Sequence, residues 1–347
     1  MKSLMKSLFL EHYYLLLGGY LLTITALLII VAYTFRNKWT KKSRARTLAV
    51  NLSVSLFSVF YILLALEGIF AYALIESDGF GFTLSSKKWF KKHWKPINSN
   101  GYRDYEPEWR DNILLVVGDS FVAGHGIKKI DNRFSNLLSN KLGEQWTVTI
   151  LAKNGWSLKN YINALTNHDK TPNIIIVSYV INDIEGAASS VGIRRPHLMK
   201  SRRHPNKLIR LFIDSSYLLS WVYWRVYRGH LLTDSYWNYL KRSYNNDDAW
   251  SVHMEELDAL VNYAKKNNAR IAFVIWPSLR NVSESKDITS KVSGHLAEKG
   301  VILLDLSRRY EKRDPKELVV NAMDAHPNEI VHAEVSDLLH QALAPWE

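Results

Sequence analysis

Five residues of this sequence have the types needed to transfer an acyl group. They are Ser120 in "GDSF", Gly155 in "NGWS", Asn182 in "IND", and Asp324 and His326 in "MDAHPN". Acyl transfer requires a nucleophile, a base, a group that orients the base, and hydrogen-bond donors for the oxyanion. Ser120 can attack, His326 can accept its proton, and Asp324 can hold the imidazole tautomer. The N–H groups of Ser120 and Gly155 and the amide of Asn182 can donate to the oxyanion.

Other polar residues near these stretches receive different predictions. Asp119 is expected to cap or brace the turn after a strand, and no motif places His125 in the site. His326 and His332 do not form a zinc-binding spacing and no HExxH motif occurs, so no metal or other cofactor is predicted. The chain has no cysteine, which excludes disulfides, thiol catalysis and cysteine metal sites.

The candidate residues lie beside predicted strands. Short runs rich in isoleucine and valine predict buried parallel strands at 113–117, 147–151, 174–180, 270–275 and 301–304. Helical stretches are predicted at 132–142, 158–168, 249–267, 283–299 and 329–343. Alternating strands and helices imply a parallel sheet with helices on both faces, and such sheets bind ligands beyond the carboxyl ends of their strands.

In these residues the sequence resembles the SGNH/GDSL hydrolases, in particular membrane-anchored bacterial members. Ser120, Gly155, Asn182 and His326 occur in the order of the family's motifs, and "INSNGYRDYE" (97–106) looks like a lead-in of membrane-linked members. The resemblance covers about 97–343. It implies a flavodoxin-like three-layer α/β/α fold and ester hydrolysis or acyl transfer without a metal. The family often places its acid three residues before the histidine, whereas Asp324 lies two before His326.

The first third of the chain predicts a membrane anchor. Residues 14–35 carry no charge, and neither do 48–66, from which a second helix is expected to continue past Glu67 to about 75. A helix of about 22 residues is roughly 33 Å long, close to the thickness of the hydrocarbon core of a bilayer. We therefore predict two transmembrane helices, 14–35 and 48–75, in an anchor domain 1–75. The carboxylate of Glu67 lies either hydrated at the outer interface or within the apolar layer, where it needs a partner that a membrane protein is predicted to supply.

Charge predicts the orientation of this anchor. The loop "RNKWTKKSRAR" (36–46) has six basic residues and no acidic one, which places it in the cytoplasm. The prediction is a two-pass protein of the plasma (inner) membrane with an extracytoplasmic, periplasmic catalytic domain. The run "KKWFKKHWK" (87–95) falls in a predicted juxtamembrane linker, 76–111, and is expected at the headgroup surface or in solvent.

The predicted catalytic domain, 112–347, contains an insertion at about 187–248. Its first part is basic and its second part aromatic, a combination found in nucleic-acid-binding proteins. The formal net charge of +12 suits nucleic acid, anionic lipid or acidic polysaccharide alike. An extracytoplasmic domain argues against nucleic acid as a partner. A helical insertion that packs on the domain, the membrane surface or a partner is expected.

Three functions are compatible with these features. The first is a membrane-anchored serine esterase or deacetylase acting on acyl esters, with acetyl expected, of an extracytoplasmic polysaccharide or lipid. The second is an O-acyltransferase that modifies an envelope polysaccharide together with a multi-span membrane acyltransferase. Both use one acyl-enzyme, which water or a sugar hydroxyl resolves. The third is a non-catalytic scaffold subunit of a membrane complex, which the intact Ser120, Asn182 and His326 argue against.

Overall fold

The computed structural model describes residues 44–196, 204–227 and 229–346, together with the isolated positions 18, 21, 22, 24, 25 and 28. The first predicted span, 14–35, therefore lies outside the described residues except at those positions, as does 36–43 of the basic loop. The chain divides into two compact units, Met1–Ala65 and Leu66–Glu347.

A five-stranded parallel sheet forms the centre of the second unit. Its strands are β1 (Asn112–Gly118), β2 (Trp146–Ala152), β3 (Ile174–Val180), β4 (Arg270–Trp276) and β5 (Ile302–Asp305), in the order β2-β1-β3-β4-β5. This order is that of flavodoxin-like folds, in which ligands bind where the winding reverses, between β1 and β3. The predicted flavodoxin-like three-layer α/β/α fold is thus confirmed for the second unit.

Helices cover both faces of the sheet because successive strand residues point to opposite sides. In β1, Leu115 and Val117 join one buried apolar cluster, whereas Leu114 and Val116 join the other. From β1 onward, apart from the helices of the insertion, the helices are α3 (Ser120–Ala123), α4 (Phe134–Leu142), α5 (Leu158–Thr166), α6 (Glu185–Ser190), α10 (Asp247–Lys266), α11 (Val282–Ala297), α12 (Ser307–Tyr310) and α13 (Glu329–Leu343). One cluster packs under α5 and α10, and the other under α4 and α13.

A short antiparallel hairpin lies between the last sheet strand and the last helix. It consists of β6 (Val319–Asn321) and β7 (Asp324–Pro327), and Asn328 caps α13 directly afterwards by accepting from Val331 N at 3.0 Å. The sequence analysis did not predict this hairpin, since its strands are too short to show a period. Its importance is that β7 contains both Asp324 and His326.

The segment 76–111, predicted as a linker, packs against the rest of the second unit. Its helix α2 (Leu84–His93) is capped by Thr83, whose hydroxyl accepts from Ser86 N at 3.0 Å. Arg103 is 1% exposed and donates to the carbonyls of His93, Ala123, Gly124 and Ile127 at 2.6–3.1 Å. These bonds join the segment to the loop after β1.

Residues of the insertion form three further helices. These are α7 (Lys207–Ser215), α8 (Tyr217–Val222) and α9 (Gly229–Tyr244), with a π-turn at Tyr223–Tyr227. Tyr239, Leu240 and Tyr244 of α9 are buried against the sheet-covering helices. This end of the insertion is therefore part of the core.

The first described helix is α1 (Arg44–Tyr72). Its segment Asn51–Tyr72 has 22 residues, a mean hydropathy of 2.1 and little burial, so by length and composition it is able to cross a membrane. Most of its large side chains are exposed, including Leu56 at 63% and Ile62 at 59%. A helix that is apolar on all sides suits lipid better than water.

Arg103 should contribute strongly to stability. Arg103→Leu removes the guanidinium donor from three buried carbonyls and one half-buried carbonyl, of which those of Ala123 and Ile127 are buried and receive no other hydrogen bond named here. We expect a loss of about 3 kcal/mol, or about 6 to 12 °C in Tm for a unit of this size. Arg110→Leu is the matched control, because Arg110 is half exposed and pairs with an exposed carboxylate. Thermal unfolding in detergent measures both; an equal small effect of the two substitutions would contradict the role of Arg103.

Candidate active site

The carboxyl ends of the first three strands bring the candidate residues to one cleft. Ser120 follows β1, Gly155 follows β2, and Asn182 follows β3. All three line a cleft of about 440 Å³, which His326 also lines. The sequence-predicted residues therefore meet at the reversal of winding between β1 and β3.

Ser120, His326 and Asp324 form a continuous chain of hydrogen bonds. The Ser120 hydroxyl lies 2.8 Å from His326 Nε2, and His326 Nδ1 lies 2.5 Å from Asp324 Oδ1. An ionised carboxylate only accepts, so Nδ1 carries the proton and Nε2 is free to accept from the hydroxyl. This is the tautomer that a general base for Ser120 requires.

The two-residue spacing of Asp324 and His326 follows from the strand that contains them. Residues i and i+2 of a strand point to the same face, so both side chains of β7 project to one side. The backbone N–H of His326 also donates to Asp324 Oδ1 at 3.1 Å. The spacing that departs from the common family pattern thus still brings the carboxylate to Nδ1.

Asp324 is fully buried, yet it is held in its ionised form. Burial alone would raise its pKa, but the charge of His326 and the hydrogen bond from its ring outweigh burial and lower the pKa of Asp324 below its usual range. The carboxylate therefore stays charged beside the His326 ring.

Asp119 braces the turn that carries Ser120, as predicted. Its Oδ1 accepts from Phe121 N at 2.9 Å, and its Oδ2 accepts from Asn182 Nδ2 at 3.1 Å. Burial raises its pKa, although these hydrogen bonds and His326 oppose that shift. Because an amide nitrogen has two hydrogens, the bond to Asp119 leaves one N–H of Asn182 for a ligand in the cleft.

A buried carboxylate fixes the turn that presents Asn182. Asp183 accepts from Val180 N at 2.9 Å and from the Tyr161 hydroxyl at 2.7 Å. The Tyr244 hydroxyl donates to Ile181 O at 2.8 Å. These bonds hold the 3₁₀ turn Ile181–Ile184, so the position of Asn182 does not depend on its own contact with Asp119.

Gly155 lies in a turn whose backbone conformation favours a residue without a side chain. Its φ is +76°, in the left-handed region, and no atom lies within 4 Å of where a Cβ would be. Substitution there would strain the backbone without filling space.

His125 lies in the site, although no motif placed it there. Its ring stacks on His326 with centroids 4.2 Å apart and planes 3° apart. Its Nε2 lies 3.8 Å from Asp324 Oδ2, and neither atom makes a hydrogen bond within the described residues. Burial, followed by the charge of His326, lowers the pKa of His125 to about 3. His125 is thus a neutral ring stacked on His326.

Aromatic residues of the run "KKWFKKHWK" surround His125. Trp89, Phe90 and Trp94 have ring centroids 6.1, 4.9 and 6.1 Å from that of His125. Trp89 is 1% exposed, whereas Lys87, Lys91 and Lys92 are exposed. The helical spacing of the run was the available signal, because it separates an aromatic face from a lysine face.

Among the described residues, one group of side chains has possible metal-ligand atoms close enough together to hold an ion. These atoms lie within 4.8 Å of one another and belong to His125, Asp324 and His326. Both nitrogens of His326 are already engaged, one by Asp324 and the other by Ser120. A metal ion would have to break one of these bonds. The arrangement fits proton transfer better than metal binding.

Neither a protein-family model nor a curated protein matches the sequence. Among solved structures, the chain is similar to TesA. The two chains are 14% identical, the match covers 67% of this chain and 99% of that chain, and the TM-score is 0.42. A lipase/acylhydrolase from Enterococcus faecalis has 10% identity, coverages of 67% and 96%, and a TM-score of 0.40. The aryl esterase of M. smegmatis has 12% identity, coverages of 67% and 99%, and a TM-score of 0.37. At such identities the likeness concerns the fold alone.

The depressed pKa of His125 predicts acid sensitivity. An unfolded histidine has a pKa of about 6.5, whereas that of folded His125 is about 3. Between these values the unfolded chain binds a proton that the folded chain does not, so the free energy of unfolding decreases as pH falls through this window. His125→Phe keeps a flat ring and removes the titrating group.

We therefore expect the Tm of His125→Phe to fall less than that of the wild type between about pH 7.5 and about pH 4.5. At the higher pH both rings are neutral, so that measurement is the control for any packing change. An equal loss of Tm on acidification in both proteins would show that His125 is not buried as a neutral ring.

Proposed function

We propose that the chain is a membrane-anchored serine esterase that removes acyl groups, with acetyl the expected group, from an extracytoplasmic polysaccharide or lipid. The observation that carries the proposal is the hydrogen-bonded chain from Ser120 Oγ through His326 to Asp324, which opens on the cleft. The three functional groups are in the order and at the distances that acyl transfer to a serine requires.

In the proposed mechanism Ser120 Oγ attacks the ester carbonyl while His326 Nε2 accepts the hydroxyl proton. The N–H groups of Ser120 and Gly155 and the free N–H of Asn182 stabilise the oxyanion. His326 then gives its proton to the leaving alcohol, and an acyl-Ser120 ester remains. Water attacks this ester with His326 again as base, which releases the carboxylic acid and restores the serine. Asp324 stabilises the imidazolium in both halves.

The lining of the cleft supports a substrate that has both hydroxyl groups and flat apolar faces. Tyr236 and Trp237 supply aromatic surface, and Asn154, Arg195 and Asn281 supply polar groups. The indole N–H of Trp237 is buried and makes no hydrogen bond among the described residues. A sugar hydroxyl or ester oxygen in the cleft is a suitable acceptor for it, because a buried donor without a partner is costly.

The apolar segment Asn51–Tyr72 supports anchoring of this enzyme in a membrane. The basic loop 36–46 supports a cytoplasmic position for the N-terminal end of that helix. Under this proposal the catalytic unit lies outside the cytoplasm, where acylated envelope polymers and lipids are its substrates.

Ser120 should be the residue that a fluorophosphonate probe labels. We expect intact mass to show one adduct on the wild type, no adduct on Ser120→Ala, and no measurable turnover of acetylated substrates by that variant, since loss of the nucleophile removes the covalent route. Ser278→Ala, another serine of the same cleft, is the control and should label normally. Labelling that persists in Ser120→Ala would refute the assignment.

Asn182→Ala should lower kcat about 100- to 1,000-fold with little change in KM, because its free N–H acts on the oxyanion that forms in the transition state. Asn281→Ala is the matched control, since Asn281 lines the same cleft and has no proposed role in the oxyanion. Steady-state kinetics on an aryl acetate separates the two parameters. A large rise in KM at normal kcat would make Asn182 a substrate-binding residue instead.

A further inference from the structure

Helices α7 and α8 of the insertion, here called the helical pair, expose an apolar surface that the fold does not cover. Its large exposed side chains are Leu208 (67%), Ile209 (42%), Leu211 (60%), Phe212 (62%), Leu219 (44%) and Val222 (40%). On α7, Ile213 alone is buried. Soluble proteins rarely expose a contiguous patch of this kind, so the surface indicates an interaction.

The helical pair is fastened to the apolar helix α1 through Glu67. The Glu67 carboxylate accepts from the Ser216 hydroxyl at 2.6 Å, from Tyr217 N at 2.7 Å and from Leu218 N at 3.0 Å. Glu67 is only 6% exposed. The partner predicted for this carboxylate from outside the chain is thus supplied by the chain itself.

Two further contacts strengthen this attachment. Phe70 and Trp221 meet edge to face with their ring centroids 5.1 Å apart. Lys88 donates to Ala71 O at 2.7 Å and lies over the Tyr72 ring at 4.6 Å. The last turns of α1 therefore form one packed body with the helical pair and the start of α2.

The position of Glu67 sets the depth of the helical pair. Glu67 lies five residues before Tyr72, where the apolar segment ends, which corresponds to about 7.5 Å along a helix. Amphipathic helices that lie in a membrane surface bury their apolar face about 5–10 Å into the boundary between headgroups and acyl chains. The N-terminus of α8 is thus at the depth of an interfacial helix.

Basic residues lie on the neighbouring element. Leu84 N of α2 donates to Ser220 Oγ of α8 at 3.2 Å, and α2 exposes Lys87, Lys91 and Lys92. Exposed lysines beside an apolar surface suit anionic headgroups beside acyl chains.

We propose that the helical pair lies in the bilayer boundary, with Leu208, Leu211 and Phe212 among the acyl chains of anionic lipid. The proposal rests on the membrane anchoring of the proposed function and adds a second, in-plane contact to it. The surface is covered by lipid, and Glu67 joins the spanning helix to this in-plane element. The catalytic unit is thereby held at two places instead of turning freely on one helix.

The absence of cysteine allows a direct test on the full chain. Phe212→Cys and Leu211→Cys are spin-labelled in nanodiscs of phosphatidylethanolamine and phosphatidylglycerol, and their accessibility to oxygen and to a water-soluble nickel chelate is measured. Oxygen should relax these labels severalfold more strongly than the chelate. Lys265→Cys, exposed on α10, is the aqueous control and should show the reverse.

A third variant separates this inference from the anchoring itself. Leu56→Cys lies in the apolar segment of α1 and reports whether that helix is in lipid. If the labels at 211 and 212 are as accessible to the chelate as the label at 265, while the label at 56 is protected, the helical pair does not contact lipid. That result would overturn this inference and leave the membrane anchor in place. Protection from both reagents, or dipolar coupling between two copies, would show that protein covers the surface and would also overturn it. Chelate access at 56 would overturn the anchoring and this proposal together.

Discussion

The bond between Asp324 Oδ1 and His326 Nδ1 is the interaction on which the site depends. A carboxylate without solvent exposure is costly unless it is paired, so it fixes the imidazole that pairs with it. The surrounding backbone makes room for it: a Cβ on Gly79 would lie 3.2 Å from Asp324 Oδ1, and a Cβ on Gly126 would lie 3.0 Å from Oδ2. Both glycines have φ values near +80°, so the backbone conformation and the lack of room for a side chain both favour glycine at these positions.

Much of the fold and of the site could be predicted because the signals are local. The strand at 174–180 was predicted with the bounds that the structure shows, and the others differ by one residue at their ends. Buried parallel strands read as continuous runs of isoleucine and valine, and their ends determine where Ser120 and Asn182 must lie. Once the strand ends are known, the strand order of the parallel sheet brings Ser120 and Asn182 to the same cleft.

The remaining features depend on contacts between distant parts of the chain, which local patterns show only incompletely. The composition of the run 87–95 indicated a surface segment; its helical spacing separates aromatic residues from lysines, and the structure buries the Trp89 ring beside His125. Arg103 lies in the stretch 97–106, but its role could not be predicted because its partners are backbone carbonyls, which any residue type has. Glu67 was expected to need a partner, and that partner was 149 residues away in sequence.

These distant contacts join the end of the apolar helix α1 to the candidate site. Gly79, which lines the cleft and faces Asp324, is the seventh residue after Tyr72. An extended chain of that length spans at most about 25 Å. The same segment continues into α2, whose Trp89 and Phe90 pack around His125. The end of the apolar helix and His326 are therefore linked through one short, packed stretch. Under the proposed membrane anchoring, Gly79 of the cleft is at most about 25 Å along the chain from the end of the spanning helix. This short reach favours the proposed substrates, which are esters of membrane lipids or of polymers close to the membrane.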